Sequence, residues 1–326
     1  MGNRKAKSRV VGVDVGVLTT TYAVVDIRGN LLAQEQFNTT DYSNLDTYVS
    51  ALSARIVQMV MDNGGYEEVR SVGMCCPGGN YLTGCVENAR NMPWEGVVPL
   101  AAMLRDRMGL AVALANNSQC IALGEQAFGT AHGMNDFIVI TLGHGMGSSI
   151  FSHGRIHLGY GGFAGEIGHT CVVPDGRPCT CGRRGCLESY CAERGILQTA
   201  RELLAESDKP SLMRQVEKLT PKVLTELCEQ GDELAIETYR RTGEWLGYGL
   251  ANYVSMLNPE AIILTGGIPH AGHWLLDPAE QALETHVFRN IRGKTPIYVS
   301  ALEDGERDVL GASVLAWKVK EYSLFL

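Results

Sequence analysis

No stretch of about 18 uncharged apolar residues occurs in this 326-residue chain, so no membrane-spanning helix is expected. The N-terminus lacks the apolar core of a signal peptide. Basic residues do not predominate: 28 Lys and Arg stand against 36 Asp and Glu, for a net charge of -8 and a pI near 5.5. An acidic surface repels phosphate backbones, so direct nucleic-acid binding is not expected. The four basic residues of the opening MGNRKAKSR are read as a solvated tail rather than a binding arm. No low-complexity linker interrupts the chain. A cytoplasmic protein with no membrane partner is expected.

What is present is enough apolar material, 45% of residues, for about two domains of roughly 100–200 residues each. Arg9 to Asp26 reads RVVGVDVGVLTTTYAVVD, two β-rich runs around a glycine turn, which predicts a hairpin. Leu31–Phe37 extends it by a strand. Leu45, Val49, Leu52, Ile56, Met59 and Val60 fall on one helical stripe. Strands are expected at Val69–Cys75, Ala111–Leu114, Ala261–Thr265 and Pro296–Ser300. Helices are expected near Val98–Arg107, at Gln119–Phe128, through Leu187–Val254 and at Val309–Tyr322. FIVITLGHGMGSSIFSHGRI repeats the strand, glycine turn and strand of the opening hairpin, which suggests a duplicated fold. Alternating strands and helices define an α/β class.

The most specific segment is EIGHTCVVPDGRPCTCGRRGCLE, Glu166 to Glu188. His169, Cys179, Cys181 and Cys186 are the donor set of a closed tetrahedral zinc site. Closed coordination leaves no position for a catalytic water, so a zinc hydrolase is not expected. For these thiols metal is favoured over disulfides. Most of the other seven cysteines are read as small buried hydrophobes.

With these motifs, the chain resembles the ROK family of bacterial sugar kinases and repressors, above all its glucokinase-like members. The G-x-D-x-G start, the Pro77-Gly78 segment, N-M-P-W, L-G-x-G-x-G and L-T-G-G appear in the family's order. The resemblance implies a two-lobed actin/hexokinase-like (ribonuclease H-like) α/β fold with a zinc-organised loop. Residues 1–131 with 307–326 would form the N-terminal lobe, and 132–306 the C-terminal lobe. It further implies that Gly78, Asn91, Asn116, Glu166, His169 and Glu188 bind the sugar, a hexose or N-acetylhexosamine. His169 would serve both zinc and sugar. ATP and magnesium would be met by Asp14, Gly16, Thr19, Gly143, Gly145, Gly147, Gly266 and Gly267. A homodimer is the family's habit.

The chain departs from the family in the transfer machinery. The family's catalytic Asp follows the pocket Asn; here Asn117 follows Asn116. An amide cannot take a proton at neutral pH, and a positioned general base contributes roughly 10^2–10^4 in rate, about 3–5 kcal/mol. Val17 and Leu18 replace the glycine and threonine of D-x-G-G-T, and His144 replaces a threonine. Thr19, Thr20 or Thr21 could compensate by a shifted turn. The expectation is a sugar-binding protein whose kinase activity is weak or lost, with Asn117 at the catalytic position. The alternatives are an active glucokinase or N-acetylhexosamine kinase, and a transcriptional regulator lacking its own DNA-binding domain.

Overall fold

The run RVVGVDV becomes a central strand covered on both faces, which is why it is almost wholly apolar. The structure is a computed structural model and describes residues 7–89 and 92–319. It begins with β1 (Arg9–Val15), β2 (Thr19–Asp26), β3 (Leu31–Asn38), α1 (Leu45–Asp62), α2 (Gly65–Glu68) and β4 (Val69–Cys75). There follow β5 (Gly79–Asn80), β6 (Cys85–Glu87), β7 (Val97–Val98), α3 (Leu100–Met108), β8 (Ala111–Ala115) and α4 (Asn117–Phe128). Five strands pair in the order β3-β2-β1-β4-β8, and β5, β6 and β7 form a small separate sheet. Alternation along β1 divides two cores. Val11, Val13 and Val15 pack with Tyr48, Leu52, Ile56 and Leu104 of α1 and α3. Val10 packs with Val309, Leu310 and Ala316 on the other face. Asn44 starts α1 by accepting from the backbone N–H of Asp46 at 2.9 Å.

The second sheet contains β9 (Phe137–Leu142), β10 (Met146–Ser152), β11 (Arg155–Ile156), β12 (Ala261–Thr265) and β13 (Ile297–Val299), in the order β11-β10-β9-β12-β13. β1 is antiparallel to β2 and parallel to β4. β9 is likewise antiparallel to β10 and parallel to β12. The repeat seen in two hairpins therefore extends to whole sheets. One face of the second sheet buries Ile138, Ile140, Leu142 and Ile262 against helices. These are α5 (Glu188–Cys191), α6 (Glu193–Glu206), α7 (Pro221–Glu229), α8 (Glu233–Leu257) and α9 (His273–His286).

The chain closes with α10 (Arg307–Lys318). Contacts divide it into two compact units. One holds the described residues to His132, Leu158–Ala164 and those from Ala301; the other holds Gly133–His157 and Gly165–Ser300. A division at 132 and 307 leaves Leu158–Ala164 on the other side. Hydrogen bonds from Asn80 Nδ2 to Gly161 O (3.0 Å) and from Gln119 Nε2 to Gly162 O (3.1 Å) tie this segment to the first unit.

The sequence reading did not anticipate α9, and the helix expected through Leu187–Val254 is broken into α5, α6, α7 and α8; three further differences have clear causes. α4 begins at Asn117, not Gln119, because Asn116 caps it. α10 begins at Arg307, two residues early, and the end expected near Tyr322 lies outside the described residues. The strands β5 to β7 are too short to show a period. Five of the seven cysteines outside the cluster are buried, while Cys85 is half-buried and Cys171 exposed. No described helix is long and apolar enough to cross a membrane.

α10 lies on bare backbone. A Cβ on Gly73 would stand 2.0 Å from Ala312 O, and one on Gly12 2.3 Å from Val309 O. Gly73→Ala is expected to lower stability in urea denaturation by about 1–3 kcal/mol or more, because backbone must move. Gly267→Ala, with nothing within 4 Å of the new carbon, should change it by less than about 0.5 kcal/mol.

Candidate functional site

In the first unit, Asp14 sits near the end of β1 and Asn116 caps α4, which places Asn117 at that helix's first position. Asn116 spends its Oδ1 on the Ser118 N–H at 3.0 Å, which leaves Nδ2 as the donor it can offer a ligand. Asn117 Nδ2 donates to Asp14 Oδ1 at 3.1 Å. Asp308, in the first turn of α10, has a carboxylate oxygen within 4.8 Å of one of Asp14. The Cys75 thiol donates to Asp14 Oδ1 at 3.3 Å. Arg307, 10% exposed, pairs with Asp308 at 3.0 Å and Asp304 at 2.5 Å. Burial first, then the neighbouring Asp308 charge, raise the Asp14 pKa to about 7 against the opposing pull of Cys75, Arg307 and Asn117. The Asp308 pKa is raised too, chiefly by burial. The sequence reading found Asp14 and Asn117 but missed Cys75, Arg307 and Asp308. No spacing rule links residues so far apart.

The altered phosphate loop is tightly formed. Gly16 N–H donates to Thr19 O at 3.0 Å, and a Cβ on Gly16 would meet that oxygen at 2.6 Å. Val17 leans on the core while Leu18 is 70% exposed. Thr20 is buried, with its hydroxyl 2.8 Å from those of Thr39 and Tyr48, so it is a structural residue and does not compensate for the lost loop hydroxyl. Thr19 pairs with Asn38 at the start of β2 and is partly exposed. Gly78 takes φ +69°, a backbone that favours glycine, and accepts from the Glu87 N–H at 2.8 Å. Asn91 lies outside the described residues. Its neighbour in the motif, Trp94, is a core residue with its ring centroid 4.5 Å from that of Tyr48.

In the second unit, Glu188 is a strut. Its Oε2 accepts from the Met146 N–H at 3.0 Å, and its Oε1 from the Thr180 hydroxyl at 2.9 Å. It thus joins the Gly143–Gly147 turn to the cysteine loop. A Cβ on Gly145 would stand 3.1 Å from Glu188 Oε2, whereas one on Gly143 would meet nothing within 4 Å. Gly147 lies within β10, opposite Thr141. His144 is 97% exposed and pairs with Glu193 through Nδ1, a partner that the sequence did not indicate. Gly266 has φ +94°, and a Cβ there would meet Leu142 O at 2.4 Å; Gly267 is in open space. The Glu166 pKa is raised by burial, with His169 pulling it down and Glu188 pushing it up.

His169, Cys179, Cys181 and Cys186 converge, with all four donor atoms within 4.8 Å of one another. Cys181 Sγ lies 3.7 Å from Cys186 Sγ, and Cys179 Sγ 3.6 Å from His169 Nδ1. Tetrahedral zinc, with bonds of about 2.3 Å to sulfur and about 2.0–2.1 Å to nitrogen, requires about 3.8 and 3.6 Å for these pairs. The donor set therefore fits a zinc ion. Nδ1 faces the thiols, which leaves Nε2 for a second partner. Burial pushes the Cys181 thiol up, but hydrogen bonds from Arg183 and the neighbouring thiols outweigh it and bring the pKa to about 6.

The Asp14 shift has a sign that can be tested. The folded state holds a proton on Asp14 that the unfolded chain loses near pH 3.8, so stability declines as pH rises from about 4 to 7. Asp14→Asn removes that contribution. Its unfolding midpoint is expected to fall less steeply than the parent's between pH 5 and 7 in thermal scans.

The sequence profile of the ROK family matches residues 10–319. The chain is 31% identical to a glucokinase of Halalkalibacterium halodurans over 322 residues, covering 95% of this chain and 94% of that one. A crystal structure of a ROK family glucokinase from Streptomyces griseus, in complex with glucose and AMPPNP, superposes with a TM-score of 0.75 at 30% identity, covering 95% of this chain and 100% of that chain. The transcriptional regulator NagC of Escherichia coli is 28% identical over 308 residues, 94% of this chain and 74% of the regulator. The fold, the ordered motifs and these likenesses agree: the chain belongs to the ROK family and has the two-lobed α/β scaffold of its sugar kinases.

Proposed function

We propose that this chain binds a monosaccharide, a hexose or N-acetylhexosamine, and that its ATP-dependent phosphoryl transfer is weak or lost. The observation that carries this reading is the hydrogen bond from Asn117 Nδ2 to Asp14 Oδ1. Asn117 holds Asp14 through its amide nitrogen, and an amide has no basic atom that could take a sugar hydroxyl's proton at neutral pH. Asn116, Glu166, His169, Glu188 and Asn91 supply the polar groups that orient sugar hydroxyls, and Gly78 permits close backbone approach. Gly143, Gly145, Gly147, Gly266 and Gly267, with Asp14, Gly16 and Thr19, are assigned to ATP and magnesium. Val17 and Leu18 weaken that site by replacing a bare backbone and a hydroxyl with carbon. Zinc held by His169, Cys179, Cys181 and Cys186 would fix the loop from which His169 and Glu188 act. Exposed Met256 and Leu257 at the end of α8, with Phe288 close by, give an apolar surface suited to a homodimer.

A second reading, an active hexose kinase, draws on Asp14. A carboxylate with a pKa of about 7 beside Asn117 is suited to proton transfer at neutral pH. Isothermal titration with glucose and N-acetylglucosamine, followed by a coupled assay for ADP, separates the two. The proposal expects sugar binding with turnover roughly 10^2-fold or more below ordinary kinases. Turnover at ordinary kinase rates, abolished by Asp14→Asn, supports the second reading. Elemental analysis should find one zinc per chain, lost in Cys181→Ser together with much of the sugar affinity.

A further inference from the structure

Asn117 does more than lack a proton-accepting oxygen. Its amide nitrogen is 3.1 Å from Asp14, beside Asp308, whose side chain keeps only 17% of its surface exposed. The carboxylate oxygens of Asp14 and Asp308 lie within 4.8 Å of each other. Beside two such acids, an NH2 group has a hydrogen to offer each. A carboxylate at position 117 would be a third acid in the same enclosed space, with no hydrogen to give. Like charges at that range disfavour ionisation strongly when they are buried. The other charged and titratable groups facing the cluster are Cys75 at the end of β4, Cys76 just after it, Tyr48 on α1, Arg307 on α10 and Asp304 before it. Only Arg307 among these carries positive charge, and it is already shared between Asp304 and Asp308.

We propose that Asp308 is the positioning residue that holds position 117 as an amide. Asn117, Asp14 and Asp308 are one co-adapted unit, so the missing base cannot be restored at 117 while Asp308 keeps its charge. This inference rests on the reading of weak transfer, but its test is a difference between variants and stands apart from the parent's own rate.

The test compares the full-length parent with Asn117→Asp, Asp308→Asn and the double variant. The readouts are thermal unfolding at pH 8 and glucose-dependent ADP release with magnesium ATP from pH 6 to 9. Asn117→Asp alone should lower the midpoint by roughly 5 °C and gain turnover only toward alkaline pH. The double variant should recover the midpoint, shift the pH profile down by about one unit or more, and raise turnover by about 10^2-fold over the parent at pH 7. Asp308→Asn keeps the shape of the side chain and its acceptor for Arg307, so a gain seen only in the double variant reflects the removed charge. If Asn117→Asp alone matches the double variant in rate and pH profile, the inference is overturned. Should neither variant turn over, the midpoints decide: additive effects at 117 and 308 overturn it, and non-additive recovery supports it. A parent that already turns over at kinase rates overturns the weak-transfer reading instead and leaves this comparison intact.

Discussion

The seating of α10 on the exposed backbone of β1 and β4 is the constraint on which the first unit depends. Gly12 and Gly73 put no side chain of their own between helix and sheet, and a carbon added at either would strike a helix carbonyl. That approach seals the second face of the sheet through Val10, Val309, Leu310 and Ala316. It also fixes the first turn of α10, and with it Arg307 and Asp308, beside the end of β1. Packing thus decides which charges meet. Two carboxylates are held at short range because two backbones fit together, and the Asn117 amide and the Arg307 guanidinium answer them.

The chemistry of the first unit follows. Burial first, and then the neighbouring Asp308 charge, raise the Asp14 pKa, so this enclosed acid pair tends to share a proton. The amide of Asn117 is the neutral partner that such a pair tolerates. Reading Asn117 only as a lost base misses that its nitrogen is the group in use. The same environment gives Asp14 a neutral-range pKa, the property that an ordinary surface carboxylate lacks.

The second unit uses one carboxylate to join two loops. Glu188 binds the backbone of the glycine turn with one oxygen and the cysteine loop with the other. Gly145 matters because a side chain there would crowd Glu188, while a Cβ at Gly143 would meet nothing within 4 Å. The glycines of one motif therefore differ in what requires them. Thr180, at the other end of this strut, stands between Cys179 and Cys181 of the cysteine cluster, whose donor spacings match what a tetrahedral ion demands.

Most strand positions, many of the helices, the duplicated hairpin, the donor set of the cysteine loop and the family were legible in the sequence; α9, β5–β7 and the breaks that divide Leu187–Val254 into separate helices were not. Each legible feature rests on a local period or a short spacing, and such signals survive without coordinates. The stripe on α1 and the apolar run of β1 are of this kind. What the tertiary structure alone decided is pairing at a distance. Asp14 meets Asn117 across 103 residues, and Glu188 meets Met146 across 42. Thr20, a candidate phosphate contact by position, is consumed by Thr39 and Tyr48. Asp308 reads in sequence as a helix-start acid, and only the packing of α10 brings it to Asn117. Hydrogen bonds and charge coupling change over ångströms, whereas the sequence records order along the chain; the partners of these polar groups were therefore fixed by folding.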